Sequence, residues 1–289
     1  MKKRISRQAA AELATTKIIE QLEKGTVPWQ TPWTPFGGPT SLATGKPYKG
    51  INHVMLSFVG MTYEYPLWGT YKWAFANGGH VRKGERNTPV IFMEWVTKED
   101  EKTQEIKQFP LYYIHQVFNI GQMEGVEVPA QYLTKREPVP VLDGVHEALN
   151  YPGGPTVVHD RQDMAFYRPS TDVITLPMLD QFKSAEKYAG TALHEAVHST
   201  GHKSRLGRLE ENATFGCQSY AKEELVAEMG AALLGTMLNI QVEWEQSGAY
   251  IASWLRVLKN DRDLLLTAAT QAQKAAELIC PAEELAVAA

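Results

Sequence analysis

The stretch TALHEAVHSTGH constrains this chain more than any other part of it. An α-helix turns once in about 3.6 residues, so His194 and His198 share a face and can hold one ion between two imidazoles. Glu195 stands beside them, within reach of a water on that ion, and is the candidate general base. Two such histidines need a third ligand. The longer pattern HExxHxxGxxH would supply a histidine; Gly201 matches its glycine, but Ser204 occupies the last position, so that pattern fails here. The alternative is a carboxylate from a second helix, and YAKEELVAEMGAALLG offers one 26 residues after His198. Glu224 and Glu228 share a face of a helix that is otherwise apolar through Leu225, Val226, Met229, Ala232 and Leu233. Carboxylates in such company require a cation or a donor. Glu224 is read as the ligand and Glu228 as the carboxylate that orients a ligand histidine, with Glu223 as the ligand if the helix is rotated. Two histidines and one carboxylate around a single zinc leave a fourth position for water. Tyr220, one turn before Glu224, and His202 are candidate partners for an oxyanion. Arg205 and Arg208 are expected to pair with local carboxylates.

The rest of the sequence divides around this pair of helices. Residues 4–24 carry helical spacing through Ile5, Ala9, Leu13, Ile18 and Leu22, and Gly25 ends it. VPWQTPWTPFGGPT is too rich in Pro and Gly for regular structure. Residues 51–60 and 68–77 read as short apolar helices. TPVIFMEWVT and FPLYYIHQVFNI read as two strands joined by the charged turn KEDEKTQEIK. EGVEVPAQYLTKREPVPVLDG, with three prolines, is the expected boundary. Beyond it PTVVHD, MAFYRP and DVITLP read as short strands, and about 181–201, 220–240, 244–258 and 260–280 as helices. The fold class is α+β. A small α+β domain is expected over 1–130, a linker over 131–144, and a mainly helical metallopeptidase-type domain with a small sheet over 145–289.

No apolar run reaches the roughly 18 residues that a membrane helix needs. The N-terminus is basic, but Glu12, Lys17, Glu20 and Glu23 interrupt any signal core, leaving an amphipathic helix. Cys217 and Cys280 make no disulfide framework, which fits a reducing cytoplasm.

The net charge of −4 conceals an asymmetry. Residues 1–136 hold 17 Lys and Arg against 12 Asp and Glu, and the remainder holds 12 against 21. Of the 28 aromatics, 18 lie in the basic part, interleaved with cations in ATGKPYKGIN, WGTYKWAFANGG and HVRKGE. Single-stranded nucleic acid is bound by such mixtures, bases stacking on rings while Lys and Arg line the backbone. The candidates are Trp29, Trp33, Tyr48, Trp68, Tyr71 and Trp73, with Lys46, Lys49, Lys72, Arg82 and Lys83.

Taken together and in order, GTVPWQTPW, ATGKPYKGIN, WGTYKWAFANGGHVRKGE, HEAVHSTGHKSRLGR and YAKEELVAEMGA resemble the ArdC-type antirestriction proteins of conjugative plasmids. The resemblance implies an N-terminal domain that binds single-stranded DNA, shared with some plasmid primases, and a C-terminal zincin-like domain. It also implies a role in protecting incoming plasmid DNA from restriction. It places the metal on His194, His198 and a Glu of the EELVAE segment. Two other functions compete with it. One is an intracellular zinc peptidase acting on an unidentified protein substrate. The other is a DNA-binding protein whose metal domain does no chemistry.

Overall fold

A computed structural model describes residues 3–99, 106–209, 218–244 and 248–281. The chain opens with a short strand, β1 (Lys3–Ile5), before α1 (Arg7–Leu22). The helix expected from residue 4 therefore begins later, where the Ser6 hydroxyl accepts from the N–H of Ala9 and caps it. After an irregular segment come β2 (Thr40–Ser41) and α2 (Gly50–Gly60). Residues 68–77, expected as one helix, instead divide into β3 (Leu67–Gly69) and α3 (Tyr71–Ala76). The break is local: Leu67 and Trp68 are fully buried as strand residues, and Thr70 caps the helix by accepting from the N–H of Trp73.

Strands β4 (His80–Val81), β5 (Thr88–Glu99), β6 (Ile106–Asn119) and β7 (Met123–Glu124) follow. β5 and β6 form a long antiparallel hairpin, with Thr88 opposite Val117 and Glu99 opposite Ile106. Part of the expected charged turn, 100–105, lies outside the described residues. β6 also pairs with β1 and β3, and β3 pairs in parallel with β2. β4 and β7 make a separate small ladder.

Helix α4 (Val141–Leu149) begins inside the segment read as a linker. Val145, Ala148 and Leu149 form its buried stripe, a short helical signal masked in the sequence by the neighbouring prolines. β8 (Thr156–Asp160), β9 (Phe166–Arg168) and β10 (Val173–Pro177) then make a three-stranded sheet with β10 in the middle. β8 is parallel to β10 and β9 antiparallel, so β9 is an edge. Helices α5 (Ala185–Thr200), α6 (Gln218–Met237), α7 (Gly248–Asn260) and α8 (Leu264–Ile279) complete the chain.

One hydrophobic core runs through both ends of the sequence. Ala10, Ala14, Ile18 and Leu22 of α1, Trp29, and Ile51, Val54 and Met55 of α2 pack in the same cluster as Leu193, Leu225, Met229, Leu258 and Leu265. α1 lies against α7 and α8, and α2 against α8. A second, smaller cluster of Tyr48, Leu56, Trp68, Val90 and Val117 belongs to the N-terminal part alone. The division expected near residues 131–144 is thus crossed by continuous packing. Among the described residues no helix is long and apolar enough to cross a membrane.

Candidate metal centre

The centre is built where α5 and α6 cross. Gly230 of α6 makes a close crossing possible, because a Cβ there would meet Val197 of α5 at 2.8 Å. At this approach His194, His198 and Glu224 bring ligand atoms together. The two Nε2 atoms are 3.0 Å apart. The Glu224 carboxylate lies 3.5 Å from His194 Nε2 and 3.4 Å from His198 Nε2. Tetrahedral bonds of the length zinc makes to nitrogen and oxygen would set neighbouring ligand atoms about 3.3 Å apart, so the triangle has the size such an ion requires.

Each histidine is backed by a further carboxylate. His198 Nδ1 lies 3.0 Å from Glu223 Oε1, and His194 Nδ1 lies 3.6 Å from Glu228 Oε1. An N–H held on the Nδ1 side leaves the Nε2 lone pair directed at the centre. Glu223, the alternative ligand in the sequence reading, is here turned to the far side of His198. Arg208 fixes it there, donating to Glu223 at 2.8 and 2.9 Å and to Thr200 Oγ1 at 2.6 Å. The loop carrying Arg208 folds back over the end of α5 because Gly201 lacks a side chain: a Cβ there would meet Leu209 at 2.7 Å. Arg205 also pairs, with Asp172, and donates to the Ser199 carbonyl at 2.8 Å.

The charges explain the chemistry. Burial opposes the ionised form of Glu224, but hydrogen bonds to His194 and His198 overcome it and hold the carboxyl well below the usual carboxylate range. Burial also opposes a charged His198, yet Glu223 and Glu224 raise it well above the ordinary histidine value. Glu228 goes the other way: burial pushes it up, against the opposing pull of His194, Gln30 and Trp29. Arg208 pairs with Glu223, Glu228 faces His194, and Glu224 lies between the two imidazoles, where a divalent cation among N and O donors fits.

Glu195 is buried on α5 between the two histidines and lines the same cavity, of roughly 440 Å³. Tyr220 lines it too. Burial and the nearby Glu224, which shares a hydrogen bond with the phenol, raise the Tyr220 pKa, so its proton is retained. His202 does not line this cavity; its Nδ1 is 2.7 Å from Ser204 Oγ, and it drops out as an oxyanion partner. Among the wall residues that escaped the sequence reading are three aromatics: Phe166 and Tyr167 from the edge strand β9, and Tyr250 from α7. Nothing in their local spacing marks them, since they meet the centre only through tertiary packing.

The nucleic-acid candidates scatter. Trp29, Tyr48 and Trp68 are buried, with no face open to a base; this corrects their reading as stacking residues. They are apolar volume in a part of the chain that needs it: Trp29 packs edge-on against Trp254, and Trp68 edge-on against Tyr63. Trp33 and Trp73 are half-buried, and Trp33 Nε1 donates to Asn239 at 3.1 Å. Lys49 is tied to Glu277 at 2.5 Å and Arg82 to Glu85 at 2.7 Å. Lys46, Tyr71, Lys72 and Lys83 remain exposed. Beside Tyr71, one helical turn on, the structure adds Phe75, 73% exposed.

Comparison with known proteins agrees in both parts. The family model of the N-terminal domain of anti-restriction factor ArdC matches residues 8–118, and that of a zincin-like metallopeptidase matches 147–271. The metal-free crystal structure of antirestriction ArdC from plasmid R388 superposes with a TM-score of 0.76 at 37% identity, covering 96% of this chain and 98% of that one. Its Mn(II)-bound form gives 0.75 at 36% identity, covering 96% and 97%. An uncharacterized protein of Sinorhizobium fredii is 31% identical over 92% of this chain and 90% of its own length. DNA primase TraC of Escherichia coli is 39% identical over 94% of this chain, which spans only 27% of that primase.

Proposed function

The chain belongs to the ArdC antirestriction family, and from that premise we propose that it binds single-stranded DNA, carries a metallopeptidase-type site for one zinc ion, and protects incoming plasmid DNA in the cytoplasm of the recipient cell. The convergence of His194, His198 and Glu224, with Glu195 beside them in an open cavity, carries this reading. A divalent ion held by His194, His198 and Glu224 would supply Lewis-acid polarisation and lower the pKa of a bound water. Glu195 takes the proton of the attacking water and delivers it to the leaving amine. The protonated Tyr220 phenol, turning from Glu224, would donate its hydrogen bond to the oxygen that gains charge as the carbonyl is attacked. Glu223 and Glu228 keep the imidazoles turned the right way. The protein substrate would lie along β9, whose edge and aromatic side chains form one wall.

DNA binding in this reading falls to the exposed remainder of the candidate set, Lys46, Tyr71, Lys72 and Lys83, with half-buried Trp73 at its side. The test is transfer of unmodified plasmid DNA into restricting recipients. Glu195→Ala should reduce peptide hydrolysis by about a hundredfold or more while leaving zinc content and DNA affinity unchanged. Full hydrolysis in Glu195→Ala would refute the assignment of the base. Full protection without hydrolysis would favour the alternative in which coating the strand suffices.

A further inference from the structure

The metal site does not end with the helices that carry its ligands. The irregular segment after α1 runs across α6, and Gln30 Nε2 donates to Glu228 Oε2 at 3.2 Å. The other oxygen of Glu228 faces His194 Nδ1 at 3.6 Å. Trp29, next in the chain, is 2% exposed and packs on Trp254 at 5.1 Å between ring centroids. Further along, Trp33 is pinned to Asn239, whose amide donates to the Glu137 carbonyl at 2.6 Å. The segment is therefore anchored on both sides of Gln30.

We propose that Gln30 is a positioning residue of the metal site, acting through Glu228 on His194 and so making the N-terminal half part of the centre's outer shell. The Glu228 side chain is 15% exposed, on a helix whose neighbouring positions are mostly apolar. Without a donor on its outer oxygen it is freer to turn away, and then His194 loses the group that orients its ring. Coupling of this kind is reciprocal: the segment tightens the metal, and the metal tightens the segment. The proposal rests on His194 being a ligand and does not depend on peptide hydrolysis.

The experiment uses the full-length chain and Zn2+ itself, with affinity read by competition against a chromophoric chelator. Gln30→Met keeps the length and removes the donor. Its zinc affinity should fall about tenfold, with the melting temperature of the metal-stripped protein little changed. The absorption bands of the Co2+-loaded protein should shift as well, which a loss of stability alone does not cause. Ile18→Val loosens the core from the same half without touching Glu228, and should lower the melting temperature but leave affinity alone. Wild-type affinity in Gln30→Met would overturn the proposal, whether or not Glu228→Gln weakens binding. A tenfold loss in Ile18→Val would also overturn it, by showing that general stability sets the affinity. Retention of zinc by Glu224→Ala would instead refute the ligand set on which the metal reading stands.

Discussion

The crossing of α5 and α6 and the basic N-terminal part hold the same kinds of side chain under opposite conditions. At the crossing the charges are largely buried, and three carboxylates have groups facing them: Glu223 meets His198 and Arg208, Glu228 meets His194 and Gln30, Glu224 meets both imidazoles. In the N-terminal part the cations are exposed, and some already have intramolecular partners, as Lys49 has in Glu277. A buried charge dictates its surroundings, because leaving it alone costs several kcal/mol. An exposed charge dictates almost nothing, since water serves it as well. One region thus announces its ligand through geometry, while the other only permits one.

The sharpest break of that contrast would come at the third ligand. Glu224→Ala should remove zinc binding under conditions where the wild type is saturated. Glu223→Gln, acting through His198, should weaken it by about 10–100-fold. Metal content after dialysis, followed by chelator titration, separates the two. Equal losses would mean that Glu223 and Glu224 exchange roles when the ion binds.

The aromatics supply the next test. Trp29→Ala empties a buried site and should cost about 3–5 kcal/mol of stability in urea unfolding. Tyr71→Ala touches an exposed ring and should leave stability within about 0.5 kcal/mol. It should nevertheless weaken single-stranded DNA binding by about 1–3 kcal/mol for the base that stacks there. Unchanged affinity in Tyr71→Ala would remove α3 from the DNA face.

Legibility followed the same line. His194, Glu195 and His198 could be read because one helix fixes their relation, and Glu224 because its helix is apolar around it. The helices α5 to α8 and the strands β8 to β10 were legible from periodicity and from the residues that break it. That Arg208 would pair with a carboxylate was legible; that the partner is Glu223, and where Glu223 and Gln30 lie, was not, because each depends on how distant segments meet. Composition told more about the N-terminal part than it could deliver. PWQ and KPYKGIN looked like DNA-binding sequence, yet much of both is spent inside the molecule. Asn52 of KGIN exchanges two hydrogen bonds with the backbone of Ile91, and the N–H of Gly50 donates to Gln273. Aromatics and cations look alike in a sequence whether they serve a core or a ligand.

The smallest expected effect separates a committed cation from an available one. Lys72 is exposed beside Tyr71, and no ion pair holds it among the described residues. If it meets a phosphate, Lys72→Ala should lower the dependence of log affinity on log salt by about 0.7 for a single strand. Lys49→Ala should leave that slope unchanged, because Glu277 already neutralises the charge. Both changes are at the surface and should move stability by less than about 1 kcal/mol. The two slopes, measured by fluorescence anisotropy over the same salt range, therefore report on the phosphate contact rather than on folding. An equal drop for Lys49→Ala would show that the Glu277 pair opens when DNA binds. The helix α8 would then belong to the DNA face, and the separation between a paired interior and an open basic surface would fail at that point.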